Sequence, residues 1–140
     1  MALWLQNIKK KSLLIIAGGL LLAGLCSTDC VPAQDNTAGK TVSQNKFQRL
    51  LKKKNTILLD VRTEVEYKAG HIPGSLQIDF LKTEDFKKQV AVLDKSKPYL
   101  LYCRSGKRSK DAMTVMKEMG FTKLFDLQGG FNSWEGVKEQ

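Results

Sequence analysis

Pro98-Tyr99-Leu100-Leu101-Tyr102-Cys103-Arg104-Ser105-Gly106-Lys107-Arg108 decides the fold. Its first half is a short apolar run rich in residues that favour a buried strand. Its second half is a basic, glycine-containing loop. A helix-patterned segment follows at once, Ser109 to Met119, with Ala112, Val115, Met116 and Met119 on one face. The layout is strand, tight loop, helix, with a cysteine at the strand's end. A helix start carries unpaired N–H groups and partial positive charge, so it holds anions. A short glycine loop curls its own amides inward to the same effect. Arg104, Lys107 and Arg108 add three cations around the thiol. Each of these favours thiolate over thiol, and the loop predicts a lowered pKa for Cys103. The competing reading, a small apolar residue ending a buried strand, leaves the basic loop without a purpose.

Outward from this stretch, the pattern alternates strands and helices. Upstream, Thr41-Val42 reads as a short strand. Ser43 to Lys54 reads as a helix with Ser43 as its N-cap and Lys52-Lys53-Lys54 at its negative end. Thr56 to Val61 is a branched, apolar strand, Glu64 to Lys68 a single helical turn, and Gly70-His71-Ile72-Pro73-Gly74 a turn. Ser75 to Ile78 fits a strand. Thr83 to Leu93 fits a helix with Thr83 as N-cap and Glu84 and Asp85 in its first turn. Downstream, Gly120 fits a helix end, Lys123 to Leu127 a last strand, and Phe131 to Trp134 the start of a short terminal helix. Such alternation predicts an α/β fold with a parallel sheet covered on both faces. Ligands in such sheets bind at the carboxyl ends of strands, where Cys103 falls.

The chain of 140 residues carries a formal charge of +9. Its lysines are scattered, and no nucleic-acid motif accompanies them. The excess therefore reads as a solvated basic surface suited to small anions. Residues 1–33 read as a targeting segment. Lys9-Lys10-Lys11 precede the apolar run Ser12 to Leu25, and Val31-Pro32-Ala33 places small residues at a cleavage site. The run is short of the roughly 20 residues that span a bilayer. Cleavage after Ala33 and export to a bacterial periplasm is the expectation. Lipid attachment at Cys26 and an uncleaved anchor facing the periplasm are the alternatives, and only these bring membrane contact. Residues 34–40 read as a linker and 41–140 as the domain. Cleavage would remove Cys26 and Cys30 and leave Cys103 as a lone thiol in an oxidising compartment.

The residues at this point carry a family. Leu58-Leu59-Asp60-Val61-Arg62, Glu66-Tyr67, Gly70-His71-Ile72-Pro73-Gly74-Ser75, the loop Cys103 to Ser109, and Gly129-Gly130-Phe131-Asn132-Ser133-Trp134 stand in order. In this combination the chain from Thr41 to Gln140 resembles a single-domain rhodanese, a sulfurtransferase, of the periplasmic type. The resemblance implies a three-layer α/β/α domain with a central, mainly parallel sheet of about five strands. It implies Cys103 as the catalytic residue, taking a sulfur atom from thiosulfate or a similar anionic donor as a persulfide. A thiol or cyanide then accepts the sulfur. Arg104, Ser105, Gly106, Lys107, Arg108 and Ser109 would hold the substrate, their amides acting on sulfur as an oxyanion hole acts on oxygen. Asp60 and Arg62 read first as an ion-pair network supporting the loop, and of the two Arg62 is the more plausible donor contact. His71, the single histidine, reads as a turn residue in a structural role, since no further ligands cluster near it. The scheme needs no metal or organic cofactor, and a monomer suffices. Two other readings remain: a partner-dependent persulfide carrier or docking module, and a cysteine-dependent phosphatase or arsenate reductase. In those phosphatases five residues separate cysteine from arginine. Here four lie between Cys103 and Arg108, a smaller ring that suits a single sulfur atom.

Overall fold

The computed structural model describes residues 39–140. Residues 1–38, which hold the expected targeting segment, Cys26, Cys30 and most of the expected linker, lie outside the described residues. Five strands form one sheet: β1 (Lys40–Val42), β2 (Ile57–Asp60), β3 (Leu76–Gln77), β4 (Tyr99–Tyr102) and β5 (Leu124–Leu127). Their order is β1-β5-β4-β2-β3, and every pairing is parallel. Four helices connect them: α1 (Gln44–Leu51), α2 (Glu64–Lys68), α3 (Thr83–Ala91) and α4 (Lys107–Glu118). A 3-10 turn at Gly130–Ser133 follows β5. The α/β reading and the five-stranded parallel sheet are borne out.

Strand β4 is central and buried along its whole length. Its side chains alternate between the two faces, as a pleated strand requires. Tyr99, Leu101 and Cys103 join Leu59, Val61, Phe86, Val90, Ala112, Met116 and Phe121 in one apolar cluster, covered by α3 and α4. Leu100 and Tyr102 join Val42, Phe47, Leu58, Ile72, Leu127 and Trp134 in the other, covered by α1 and the 3-10 turn. Two clusters on one sheet give three layers.

Strands β2 and β4 are neighbours, but the chain leaves them in opposite directions, from β2 to β3 and from β4 to β5. This reversal opens a crevice at their carboxyl ends, where open parallel sheets place ligands. The segment after β2 and the Cys103 loop after β4 meet there.

Several boundaries differ from the sequence reading. Helix α4 starts at Lys107 rather than Ser109, because Gly106 adopts φ +97° and completes the turn in a single residue. Lys107 and Arg108 are thus the first helical residues rather than loop residues. Helix α1 ends at Leu51, and Asn55 at φ +66° reverses the chain, so Lys52-Lys53-Lys54 lie beyond the helix. Ser43 occupies the N-cap of α1 without a side-chain hydrogen bond. Thr83 is the first residue of α3, not its cap; its hydroxyl donates to the Phe80 carbonyl at 3.4 Å. Lys40, expected in the linker, opens β1 beside Phe125. At the end of α4, Gly120 sits one residue past the cap at φ +94°. The Gly120 and Phe121 amides donate back to Lys117 and Met116, a Schellman closure.

Candidate active site

Cys103 ends the central strand, and its side chain is 1% exposed. The Gly106 amide donates to Cys103 Sγ at 3.1 Å. Ser109, one turn into α4, places its hydroxyl 3.5 Å from the same sulfur. Helix α4 has no side-chain cap. Its start therefore offers backbone N–H groups to the loop, and one of them already serves sulfur. Among the described residues no second cysteine is present, and Cys103 is unpaired.

The loop is held from below by the chain after β5. Phe131 donates its amide to the Cys103 carbonyl at 2.7 Å, and Asn132 donates to the Arg104 carbonyl at 3.0 Å. This approach is so close that a side chain on Gly130 would place its Cβ 2.5 Å from the Cys103 oxygen and 2.7 Å from that of Arg104. The pair Gly129-Gly130 is thereby explained as a clamp on the loop.

The basic residues separate into two groups. Arg104 and Lys107 are exposed, as is Ser105. Arg108 is not free: its two terminal nitrogens each donate to Glu66 at 2.7 Å. The Arg108 bonds, with help from Thr63, hold the Glu66 carboxyl down at about 2. Glu66 raises Arg108 further above its ordinary range against the effect of burial. Glu66 also completes a capping box with Thr63 at the start of α2.

Arg62 is buried and bound. Its Nε lies 3.0 Å from Asp60 Oδ1, and its Nη2 donates to Asp60 Oδ2 at 2.6 Å and to the Gly70 carbonyl at 2.8 Å. Burial works against this guanidinium, but the Asp60 bonds outweigh it and the pKa rises. Its Cζ lies 4.1 Å from the centre of the Phe131 ring, a cation–π stack. Tyr102, on β4, accepts from the Ile72 amide and exchanges a hydrogen bond with Ser75, each at 3.1 Å. Burial, then the Asp60 charge, pushes its phenol up.

His71 stacks on Tyr67 at 3.7 Å between ring centres. Its Nδ1 faces the Tyr67 carbonyl at 3.1 Å and its Nε2 faces Glu139 at 3.3 Å. Its backbone pairs with Glu139 through bonds of 2.8 and 2.9 Å. These contacts tie the turn to α2 and to the C-terminal segment, away from the Cys103 loop.

A hollow of about 240 Å³ opens beside the loop, lined by Arg62, Glu66, Ala69, Gly70, Arg104, Phe131 and Asn132. A larger, mostly apolar hollow of about 390 Å³ runs past Gln48, Leu51, Lys52, Ile72 and Trp134, and Cys103 is not among its lining residues. Among the described residues no cluster of His, Cys, Asp or Glu could hold a metal ion.

The structure thus gathers Cys103, Gly106 and Ser109 around one sulfur and leaves Arg104 and Lys107 at the mouth. It assigns Arg62, Arg108 and Asp60 to ion pairs, and His71 to a clasp. Sequence reasoning quoted Glu66 only within the Glu66-Tyr67 motif and missed its pairing with Arg108, and it missed Asp126. Asp126 is fully buried, with Ser109 Oγ 2.5 Å from its Oδ1 and Thr41 Oγ1 3.3 Å from its Oδ2. An acid inside the apolar strand Leu124-Phe125-Asp126-Leu127 was the available signal, since such a residue needs a partner.

A parallel sheet with a buried thiol at its switch point, facing the open start of a helix, defines the class of α/β protein. Residues 43–136 match the rhodanese-like domain family, and the chain belongs to it. It is 31% identical over 96 residues to the thiosulfate sulfurtransferase GlpE of Coxiella burnetii, covering 69% of this chain and 87% of that one. It is 28% identical over 106 residues to the tRNA uridine(34) hydroxylase of Pelagibacter ubique, covering 75% of this chain but only 35% of that enzyme. A rhodanese-related protein from Thermoplasma volcanium superposes with a TM-score of 0.58 at 26% identity, covering 68% of this chain and 89% of its own.

Proposed function

We propose that the protein is a sulfurtransferase that carries a sulfane sulfur on Cys103. The observation that carries this reading is the Gly106 amide aimed at Cys103 Sγ, 3.1 Å away, at the uncapped start of α4. Cys103 thiolate attacks the outer sulfur of thiosulfate or a similar donor. The S–S bond of the donor breaks, sulfite leaves with the bonding pair, and Cys103 holds a persulfide anion. An acceptor thiolate, or cyanide, then takes the outer sulfur and returns the thiolate. Backbone donors at the start of α4 receive the charge of the terminal sulfur. Arg104 and Lys107 draw the dianion to the mouth.

The similarity to GlpE supports thiosulfate as a donor. The pairing of Arg108 with Glu66 speaks against oxyanion chemistry, which needs an arginine fork turned toward the substrate. Residues 1–33 serve in this proposal as an export signal, and the protein acts as a monomer in the periplasm.

Intact mass before and after thiosulfate tests the reading, with Cys103→Ser alongside. The expected result is a gain of one sulfur atom, lost on adding cyanide or a thiol and absent in the variant. A start at Gln34 in protein from the periplasm supports export by cleavage, and lipid on Cys26 overturns it. A folded protein with reduced Cys103 that gains no sulfur contradicts autonomous transfer and leaves a partner-dependent carrier.

A further inference from the structure

Cys103, Ser109 and Asp126 lie in sequence along one buried chain of contacts. Exposure is 1% for Cys103 and 0% for the other two. Ser109 Oγ lies 3.5 Å from the sulfur and 2.5 Å from Asp126 Oδ1. A hydroxyl has one hydrogen to donate. It serves the sulfur or the carboxylate, not both. If both ends were anionic, one of two buried charges would lose the Ser109 donor and keep a single contact, the Gly106 amide on the sulfur or the Thr41 hydroxyl on the carboxylate, beside a second buried charge of the same sign.

Two arrangements keep a single negative charge on the trio and use the one Ser109 hydrogen fully. In one, the neutral thiol donates to Ser109 and Ser109 donates to an ionised Asp126. In the other, a neutral Asp126 donates to Ser109 and Ser109 donates to the thiolate. We propose that Asp126 is a positioning residue for Cys103, taking up through Ser109 the proton that the thiol gives up. The trio then carries one negative charge, on the sulfur or on the carboxylate. The inference rests on the reading of Cys103 as the nucleophile.

The step balances without a co-reactant. The Cys103 S–H bond breaks and its electron pair stays on sulfur. The proton goes to Ser109 Oγ, and the hydrogen already on Oγ goes to Asp126 Oδ1. Net charge is unchanged.

The surroundings of Asp126 support a proton store. From β1, Thr41 reaches Oδ2 at 3.3 Å. From α4, Ser109 reaches Oδ1, and Lys110 is the cation that acts on it. Above it lies the Cys103–Gly106 loop, with a Cβ position at Gly106 only 3.9 Å from Oδ2. Burial raises this carboxyl above the ordinary range, and the Ser109 and Thr41 bonds oppose it without cancelling it.

The test follows alkylation of Cys103 by iodoacetamide against pH in the full chain, read by peptide mass spectrometry so that Cys26 and Cys30 do not interfere. In Asp126→Asn an amide replaces the charge and supplies a permanent donor. The midpoint should fall by about one pH unit, roughly tenfold in proton affinity. With Ser109→Ala as background the same substitution should shift it by less than about a third as much. An unmoved or raised midpoint, or an equal shift without Ser109, overturns the proposal. Should Asp126→Asn fail to fold, infrared spectra of wild-type protein carrying ¹³C-aspartate decide. A neutral carboxylic acid band at a pH where Cys103 is alkylated, lost in Cys103→Ser, is expected; no band at that pH, or an equal band in both proteins, overturns it. Alkylation needs no sulfur donor, so the two readings fail separately. A shifted midpoint without sulfur uptake leaves the relay standing and removes the sulfurtransferase.

Discussion

Two strand-to-helix corners lie side by side at the switch point, and they are finished differently. After β2, the chain passes Asp60, Arg62 and Thr63 into α2. Thr63 caps α2 with its side chain, and Glu66 returns a bond to the cap. Arg62 is locked to Asp60, and Glu66 to Arg108. The carboxylates of Asp60 and Glu66 and the Thr63 cap all have partners in that corner. After β4, the chain passes Cys103 and Gly106 into α4 with no side-chain cap. Here the Gly106 amide at the N-cap faces a sulfur, and Arg104 and Lys107 are exposed. The closed corner builds the wall, and the open one is left for chemistry. A side-chain acceptor at the start of α4 would stabilise the helix by about 1 kcal/mol, but it would take the donors that an anionic sulfur needs.

Removing the clamp on the open corner should have the largest effect. Gly130→Ala places a Cβ 2.5 Å from the Cys103 oxygen at φ +61°. Destabilisation of about 2–4 kcal/mol is expected from overlap plus backbone strain, read by urea unfolding. Sulfur uptake should fall as the loop moves.

Next comes the closed corner, through Glu66. Its carboxyl is held down at about 2 when folded, against 4.5 for an unperturbed glutamate. The unfolded chain binds the proton first as pH falls. The pair's stability is therefore present above about pH 4.5 and lost on the way down to about 2. Partial exposure screens it, and about 1–2 kcal/mol should disappear across that window in acid unfolding. Glu66→Gln should flatten this part of the stability–pH curve. An unaltered acid slope would break the contrast between the corners.

Lys107→Ala should have the smallest effect. The residue is exposed on the first turn of α4. KM for thiosulfate should rise about threefold with kcat nearly unchanged, and the penalty should shrink at high salt. A large fall in kcat would instead give Lys107 a direct part in chemistry.

How much of this was legible in the sequence differs between the corners. The Cys103 loop reads well because its strand, glycine and helix are contiguous, and local order determines local chemistry. Gly106 shows where the limit lies: its φ of +97° moved Lys107 and Arg108 into the helix. That one change turned Arg108 away from the loop set expected of it and toward Glu66. The two residues are 42 positions apart, and nothing in either neighbourhood names the other. Asp126 is 17 positions from Ser109, and only the register of β5 on β4 and β1 brings it under the loop. Pairings set by sheet order are invisible to periodicity, which reports faces and not neighbours. The Asp60–Arg62 pair is legible because the two residues are close in sequence, whereas the Gly70 carbonyl and the Phe131 ring that also hold Arg62 come from more distant segments.

The contrast between the corners is tested most directly by amide NMR shifts of the protein with and without its persulfide. Thiosulfate loading should move the Gly106 amide and its neighbours through Ser109, and leave Thr63 to Glu66 in place. Absent shifts at Gly106 in a sulfur-loaded protein, or larger shifts at the start of α2, would contradict the account.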